Sequence, residues 1–284
     1  MSESSKGELQ MKDIRKILAI AGFDPSGGAG LQADIKVITA HKMYAMGAVT
    51  ALTVQNTTGI REVMELPAPF VASQLEAIFE DIQPDAVKIG MVSSTALIRV
   101  IAEKLNAYAA NNIVVDPVMV ATSGDRLISA DAVEALCKEL LPRAAIITPN
   151  IPEVEIMIGR EITDAAGMEQ AAVMIYERFR AAVLMKGGHH VDDANDLLVD
   201  DKGARWFRGR RIATENTHGT GCTLSSAIAS NLAQGMDLDT AVARAKEYLS
   251  GALAAGLNLG KGHGPMAHTF DLRSTFIHQQ RAHL

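Results

Sequence analysis

The sequence predicts an α/β fold: a mostly parallel central sheet with helices on both faces. Three observations predict it. Short, continuous runs of apolar and largely β-branched residues recur along the chain, as strands buried on both faces require. Between them lie longer segments with apolar residues three and four apart, the spacing of one helical face. Each apolar run also ends in a polar or glycine-rich cluster at its C-terminal side. Strand and helix taking turns in this way describes a doubly wound sheet.

The elements follow in order. Residues 17–22 (Ile-Leu-Ala-Ile-Ala-Gly) form the first expected strand, and 47–54, 86–90, 113–116, 145–148 and 182–186 form the next five. A helix carrying Leu31, Ile35 and Ile38 follows the first strand, and helical spacing recurs over 70–82, 94–110, 131–141 and 164–180. Leu197-Leu198-Val199 and Trp206-Phe207 flank the turn-rich Asp200-Asp201-Lys202-Gly203 and form an expected hairpin. Two helices, 219–234 and 238–256, close the pattern. With no internal repeat, low-complexity tract or Pro/Ser-rich linker, one domain is expected over 14–284, after a flexible extension over 1–13.

Composition narrows the function. Of 284 residues, 48% are hydrophobic and 21% charged, enough for a large core. Aromatics are only 4%, so small aliphatic side chains must do the packing, which suits helices lying close on a sheet. The net charge is −6 and no Lys/Arg run stands out, which argues against a nucleic-acid surface. Cys137 and Cys222 make no disulfide framework, and Cys137 falls in an apolar pattern that places it in the core. No 18-residue apolar span suggests a membrane helix, and the first dozen residues lack the apolar stretch of a secretory leader. A cytoplasmic protein acting on small molecules, with no nucleic-acid or membrane partner, is expected.

The polar clusters at the strand ends are the candidate site. They are Asp24-Pro25-Ser26-Gly27-Gly28-Ala29-Gly30, Gln55-Asn56, Gly90-Met91, Asp116-Pro117-Val118, Thr148-Pro149-Asn150 and Lys186-Gly187-Gly188-His189. Open α/β sheets bind ligands outside the carboxyl ends of their strands, so six such clusters in register outline an active-site rim. The first is either a tight turn with an N-cap or part of a ligand site. Its spacing is not the dinucleotide GxGxxG, and no GxxxxGK(S/T) stretch occurs. Asp34 is either a solvated helix position or a carboxylate turned into the pocket. Asn150 and Glu153 fit a capping box and equally fit the oxygen ligands of Mg²⁺. Asp116 and Lys186 end buried strands, and each needs a partner of opposite charge. No His/Cys spacing of a zinc site occurs.

The most informative stretch is Asn216-Thr217-His218-Gly219-Thr220-Gly221-Cys222-Thr223-Leu224, which opens an apolar helix. Its glycines let backbone amides converge, and the helix dipole adds positive potential, which makes an anion site. Cys222 lies where those amides meet. A thiol at a helix N-terminus is expected to titrate below a free thiol and to act as a base; a small packed cysteine is the alternative.

These residues resemble the hydroxymethylpyrimidine/phosphomethylpyrimidine kinases of thiamine biosynthesis. The similar stretches are 21–34, Lys88-Ile89-Gly90-Met91, Asp116-Pro117-Val118-Met119, Thr122-Ser123-Gly124-Asp125, Thr148-Pro149-Asn150-Ile151-Pro152-Glu153, Met185-Lys186-Gly187-Gly188-His189 and His218-Gly219-Thr220-Gly221-Cys222-Thr223, in that family's order. The resemblance covers roughly 14–270 and implies a ribokinase-like fold without a separate lid domain. It implies that ATP is the co-substrate, with Mg²⁺, and that phosphate goes first to an aminopyrimidine alcohol and then to its monophosphate. By resemblance, Gln55 and Asp34 hydrogen-bond the pyrimidine, while Ala29, Met91 and Val118 line its ring. Cys222 is the implied base, Gly219 and Gly221 belong to the anion turn, and Lys186 neutralises the transferring phosphate. Asn150, Glu153 and Asp116 form the implied Mg²⁺–phosphate group, with Asp116 and Glu153 toward the metal. Thr217 and Lys261, in the loop 260–265, are similar to the nucleotide side, and a homodimer is expected. Phe23 departs from the family, where a small polar residue is usual. The nearest alternative is a pyridoxal or pyridoxine kinase, alone or as a dual activity; the amide of Gln55 favours the pyrimidine.

Overall fold

A strand enclosed on both faces has to be apolar throughout, and β1 (Lys16–Phe23) meets that demand with six of its eight residues buried. The computed structural model describes residues 14–119, 128–187 and 194–273. After β1 come α1 (Gly30–Ala40), β2 (Tyr44–Asn56), β3 (Gly59–Glu65), α2 (Ala68–Asp81), β4 (Ala86–Ile89) and α3 (Thr95–Ala107). The middle of the chain gives β5 (Ile113–Val115), α4 (Ala130–Ala135), β6 (Ile146–Ile147), α5 (Ile151–Ile158), α6 (Ala165–Phe179) and β7 (Ala182–Lys186). The hairpin β8 (Asp196–Asp200) and β9 (Gly203–Phe207) follows, and α7 (Thr220–Ala233) and α8 (Leu238–Ala254) come last.

The strands form one sheet in the order β3-β2-β1-β4-β5-β6-β7-β8-β9. The run from β2 to β7 is parallel throughout; β3 pairs antiparallel at one edge, and the β8–β9 hairpin continues the other. The chain leaves β1 towards β2 and resumes on its opposite side with β4. That reversal opens a crevice at the carboxyl ends of β1 and β4, where sheets of this kind bind ligands.

Side chains of β1 alternate between two cores. Ile17, Ala19 and Ala21 join α1, α7 and α8 on one face; Leu18 and Ile20 join α2 to α6 on the other. The expected architecture of a mostly parallel sheet covered on both faces is therefore what the chain forms.

Some boundaries differ, for physical reasons. β2 extends to Tyr44–Asn56, and β3 was not anticipated; all seven of its residues are exposed, so it carries no burial pattern. The helix expected over 131–141 is composite: α4 runs into a π-helical turn at Leu136–Leu140 and a 3₁₀ turn at Leu141–Arg143. Pro142, which lacks an amide hydrogen, sits in the first turn of the 3₁₀ segment, where no intrahelical donor is required of it. In the β8–β9 hairpin, Asp200 and Gly203 belong to the strands, leaving Asp201 and Lys202 as the turn. Cys137 is buried in the core. The extension 1–13, the stretch Thr122-Ser123-Gly124-Asp125 and the pair Gly188-His189 lie outside the described residues. Among the described residues no helix is long and apolar enough to cross a membrane.

Candidate active site

Two glycine turns build the floor of the crevice. The first follows β1, where the Asp24 carboxylate accepts from the amides of Ser26 (2.8 Å), Gly28 (3.1 Å) and Ala29 (2.9 Å) and from the Ser26 hydroxyl (2.7 Å). Burial alone would raise this carboxyl, but the bonds from His218, Ser26 and Ala29 outweigh it and hold the pKa well below the usual carboxylate range. Asp24 is thus the ionised organiser of the turn. Gly30 ends the turn at φ +56°, where a Cβ would lie 2.3 Å from the Gly22 carbonyl oxygen.

The second turn precedes α7. Gly219 is its N-cap at φ +85°, and a Cβ there would lie 2.0 Å from the Gly28 carbonyl oxygen, so the two turns abut backbone to backbone. Among the described residues no side chain caps α7; its Thr220 amide donates back to the Thr217 carbonyl at 3.3 Å, and the Gly221 and Cys222 amides are left to an anion. A Cβ on Gly221 would meet Asp116 Oδ2 at 3.0 Å and Lys186 Nζ at 3.5 Å. The anion turn therefore faces the ends of β5 and β7, which brings Gly221 beside Asp116 and Lys186, with Gly219 at the start of the same turn.

Cys222 requires a correction. The expectation was a thiol titrating below its free value. Burial instead pushes it up to about 11, with the Asp34 and Asp116 charges adding to the rise and Lys88 and the Gly30 amide opposing it. At this half-buried position the loss of hydration outweighs the pull of Lys88 and the Gly30 amide, so in the free protein Cys222 is a thiol.

Asp116 and Lys186 are each other's partners at 2.8 Å, and Thr148 Oγ1 donates to the same Asp116 oxygen at 3.1 Å. Burial would depress the Lys186 ammonium, yet the charges of Asp116 and Glu153 hold it up. Asn150 and Glu153 form the full capping box of α5: the Glu153 amide donates to Asn150 Oδ1 (2.9 Å), and the Asn150 amide to Glu153 Oε2 (2.8 Å). Burial, with Asp116 nearby, raises the Glu153 carboxyl to about 7 against the pull of Lys186. Asp116 and Glu153 are both 2% exposed. Among the described residues no group of three or more His, Cys, Asp or Glu side chains could hold a metal. Mg²⁺ needs no such cage, because it binds through one or two carboxylates together with substrate phosphates and water. Two buried carboxylates beside an anion turn fit that mode.

The remaining expected residues divide. Ala29, Met91 and Val118 are half-buried around the ends of β1, β4 and β5; Met91 Cε reaches within 2.9 Å of where a Gly22 Cβ would stand. Along β2, Thr53 and Gln55 are half-buried, while Leu52 and Val54 point the other way and are exposed. Asp34 is neither a solvated position nor an open carboxylate. It is fully buried, with Lys88 Nζ 2.8 Å from both oxygens and the Ser226 hydroxyl donating at 2.8 Å. Its full burial among those partners makes the expected bond from Asp34 to a pyrimidine unavailable in this conformation. Thr217 lies next to the anion turn. Lys261 is exposed in a loop whose amides at 261 and 262 donate to Thr57 Oγ1 in the β2–β3 turn. Sequence reasoning gave no individual role to Asp24, Lys88, Thr148 or His218. Lys88 carried a usable signal, a charge inside an apolar run, the same signal that marked Lys186.

Comparison with known proteins finds relatives that cover most of the chain. The family described as Phosphomethylpyrimidine kinase matches residues 24–267. The chain is 48% identical over 255 residues to a hydroxymethylpyrimidine/phosphomethylpyrimidine kinase of Rhizobium meliloti, covering 88% of this chain and 96% of that protein. It is 47% identical over 253 residues to the thiamine biosynthesis bifunctional protein ThiED of Geobacter sulfurreducens, covering 89% of this chain but 52% of that longer protein. Among solved structures, phosphomethylpyrimidine kinase from Clostridium difficile superposes with a TM-score of 0.75 at 44% identity, over 83% of this chain and 98% of that one. The pyridoxal kinase of Staphylococcus aureus in complex with AMP-PCP superposes with a TM-score of 0.85 at 32% identity, over 92% and 96%.

Proposed function

The chain belongs to the phosphomethylpyrimidine kinase family, and from that premise we propose that it phosphorylates 4-amino-5-hydroxymethyl-2-methylpyrimidine and then the monophosphate, with ATP as donor, in thiamine biosynthesis. One observation carries the reading. The anion turn of α7, the Asp116–Lys186 pair and the Cys222 sulfur border one crevice at the strand ends.

The acceptor oxygen bonds to the γ-phosphorus as the bond from that phosphorus to the β–γ bridging oxygen breaks and ADP departs. Little covalent chemistry falls to the protein in such a transfer; positioning and charge stabilisation do most of it. Amides of the Gly219–Cys222 turn, Gly221 and Cys222 foremost, hold the equatorial oxygens, and Lys186 offsets their charge. Cys222, in its thiolate form, takes the hydroxyl proton. Gln55 faces the aminopyrimidine edge, with Ala29, Met91 and Val118 against the ring. Thr217 and Lys261 attend the nucleotide. Asp116 and Glu153, with Asn150, would hold Mg²⁺, which supplies charge neutralisation between the phosphates when bound.

The protein acts in the cytoplasm as a homodimer. The supporting feature is the exposed apolar surface of β2 and the edge strand β3, where Leu52, Val54, Ile60 and Met64 are open to solvent. A pyridoxal kinase activity is the second reading, favoured by the superposition on the S. aureus enzyme. ATP consumption measured side by side with hydroxymethylpyrimidine, its monophosphate and pyridoxal tests both. Higher kcat/KM for the two pyrimidines is expected; equal or better turnover of pyridoxal overturns the assignment.

A further inference from the structure

His218 stands where the acceptor side of the crevice meets the anion turn. Its ring Nε2 lies 2.8 Å from Asp24 Oδ2 and 3.5 Å from Gln55 Nε2. The ring also fills the space beside Gly28, where a Cβ would come within 2.3 Å of His218 Cδ2. Its main-chain amide donates to Gly264 O at 3.1 Å. Three separate segments therefore fix this imidazole.

A proton inventory decides how the neighbouring amide must face. The Asp24 carboxylate already accepts three amides and a hydroxyl and has no hydrogen to give. The hydrogen in the bond to His218 therefore sits on Nε2. A ring nitrogen that donates has no lone pair left, so it cannot also accept from the Gln55 amide nitrogen. Two donors would face each other. The oxygen and nitrogen of a glutamine amide exchange places by a half-turn that leaves the shape unchanged. After that half-turn the Gln55 oxygen lies 3.5 Å from His218 Nε2 as the second, weaker acceptor of the one hydrogen shared with Asp24, and its nitrogen faces Thr53 Oγ1, 3.1 Å from the same end of the amide. The Thr53 hydroxyl spends its own hydrogen on the Phe23 carbonyl at 2.9 Å and keeps a lone pair for the amide. Along Asp24, His218, Gln55, Thr53 and Phe23 every donor then meets an acceptor.

We propose that His218 is a specificity-determining positioning residue. Held by Asp24, it fixes the Gln55 amide with its oxygen on the His218 side and its nitrogen on the Thr53 side. The amide's remaining N–H and lone pair then present a donor and an acceptor in one fixed handedness to the acceptor ring. A ring with an amino group beside a ring nitrogen matches that pair in one orientation only, and a free-rotating amide would accept either. This inference rests on the proposed contact between Gln55 and the aminopyrimidine.

The test uses the full chain with three variants, His218→Leu, His218→Gln and Thr53→Val. In His218→Leu, KM and the calorimetric dissociation constant for hydroxymethylpyrimidine are expected to rise about tenfold, the loss of one net hydrogen bond, with kcat changing much less. Preference over pyridoxal should narrow by the same factor. His218→Gln, whose amide nitrogen reaches the position of Nε2, should restore most of the affinity. Thr53→Val removes the other end of the relay from a different element and should weaken binding in the same direction, which covers misfolding of the first variant. In a Gln55→Met background, His218→Leu should add no further loss. Equal losses with and without Gln55, or a fall in kcat at constant KM, overturns the proposal. A wild-type chain that neither binds nor phosphorylates the pyrimidine instead overturns the functional reading beneath it.

Discussion

At Cys222 two opposing effects meet, and their magnitudes set the behaviour of the free protein. The start of α7 favours a thiolate, but burial wins and carries the pKa to about 11. At pH 7 that leaves about one thiolate in 10⁴ molecules, since each pKa unit is a factor of ten. A rate that needs the thiolate must then climb with pH, because raising pH populates the deprotonated form below its pKa. We expect kcat/KM for the pyrimidine to increase through pH 7–9 in the wild type and to be flatter in Cys222→Asp. Cys222→Ala should fold normally and lose roughly 10²–10⁴-fold in kcat, the range for a removed general base. Near-wild-type turnover of Cys222→Ala would reduce the thiol to packing and leave catalysis to the anion turn, Lys186 and Mg²⁺. The same balance explains Lys88: burial would neutralise it, but the Asp34 carboxylate at 2.8 Å keeps it charged.

Elements transmit these residue-level demands. The first turn of α7 is braced from behind, where Thr223 Oγ1 and His268 Nε2 lie 3.0 Å apart, and the Tyr248 hydroxyl of α8 donates to the His268 carbonyl. Burial, helped by Lys36, pushes the His268 pKa from 6.5 down to about 4. The unfolded chain therefore binds this proton first, so the stability His268 provides is complete above pH 6.5 and lost as pH falls towards 4. The loss is on the order of 3 kcal/mol. His268→Gln should flatten the melting temperature over that window relative to wild type; parallel curves for both would show that His268 is not the group responsible. In α5 the capping box and the Mg²⁺ reading use the same atoms. Glu153→Gln keeps a capping side chain, so its melting temperature should stay close to wild type while the Mg²⁺ needed for half-maximal rate rises severalfold. An unaltered Mg²⁺ titration would assign the pair to helix capping alone.

At the scale of the whole molecule, the sheet order puts β3 at an edge, and among the described residues its apolar side chains stay open to solvent. Leu52 pairs across the ladder with Met64 on the exposed side of β2 and β3, and both side chains are open to solvent. A charge there should be tolerated by the fold, since these side chains are already in water, but not by a dimer. Met64→Glu with Val54→Lys is expected to shift the sedimentation coefficient from dimer to monomer with an unchanged circular dichroism spectrum. A wild type that sediments as a monomer, or a variant that stays dimeric, removes β3 from the interface.

The sequence by itself determined the alternation of strand and helix, the buried character of β1, β4, β5 and β7, and the clustering of polar residues at strand ends. Each of these follows from local periodicity, which a linear pattern records directly. It also determined that Asp116 and Lys186 needed opposite charges, because a charge at the end of an apolar run cannot be buried alone. Which charge answered which was decided by strand order, with β5 and β7 separated only by β6. Tertiary structure likewise turned Asp34 towards Lys88 and away from an open pocket, and brought His218 194 positions along the chain to Asp24. β3 was invisible for the converse reason: an edge strand with every residue exposed leaves no periodic trace. The thiol pKa of Cys222 belongs to tertiary structure too. Local sequence shows the helix start, but the partial loss of hydration and the Asp34 and Asp116 charges that raise the thiol arise only when α1 and the end of β5 pack beside α7.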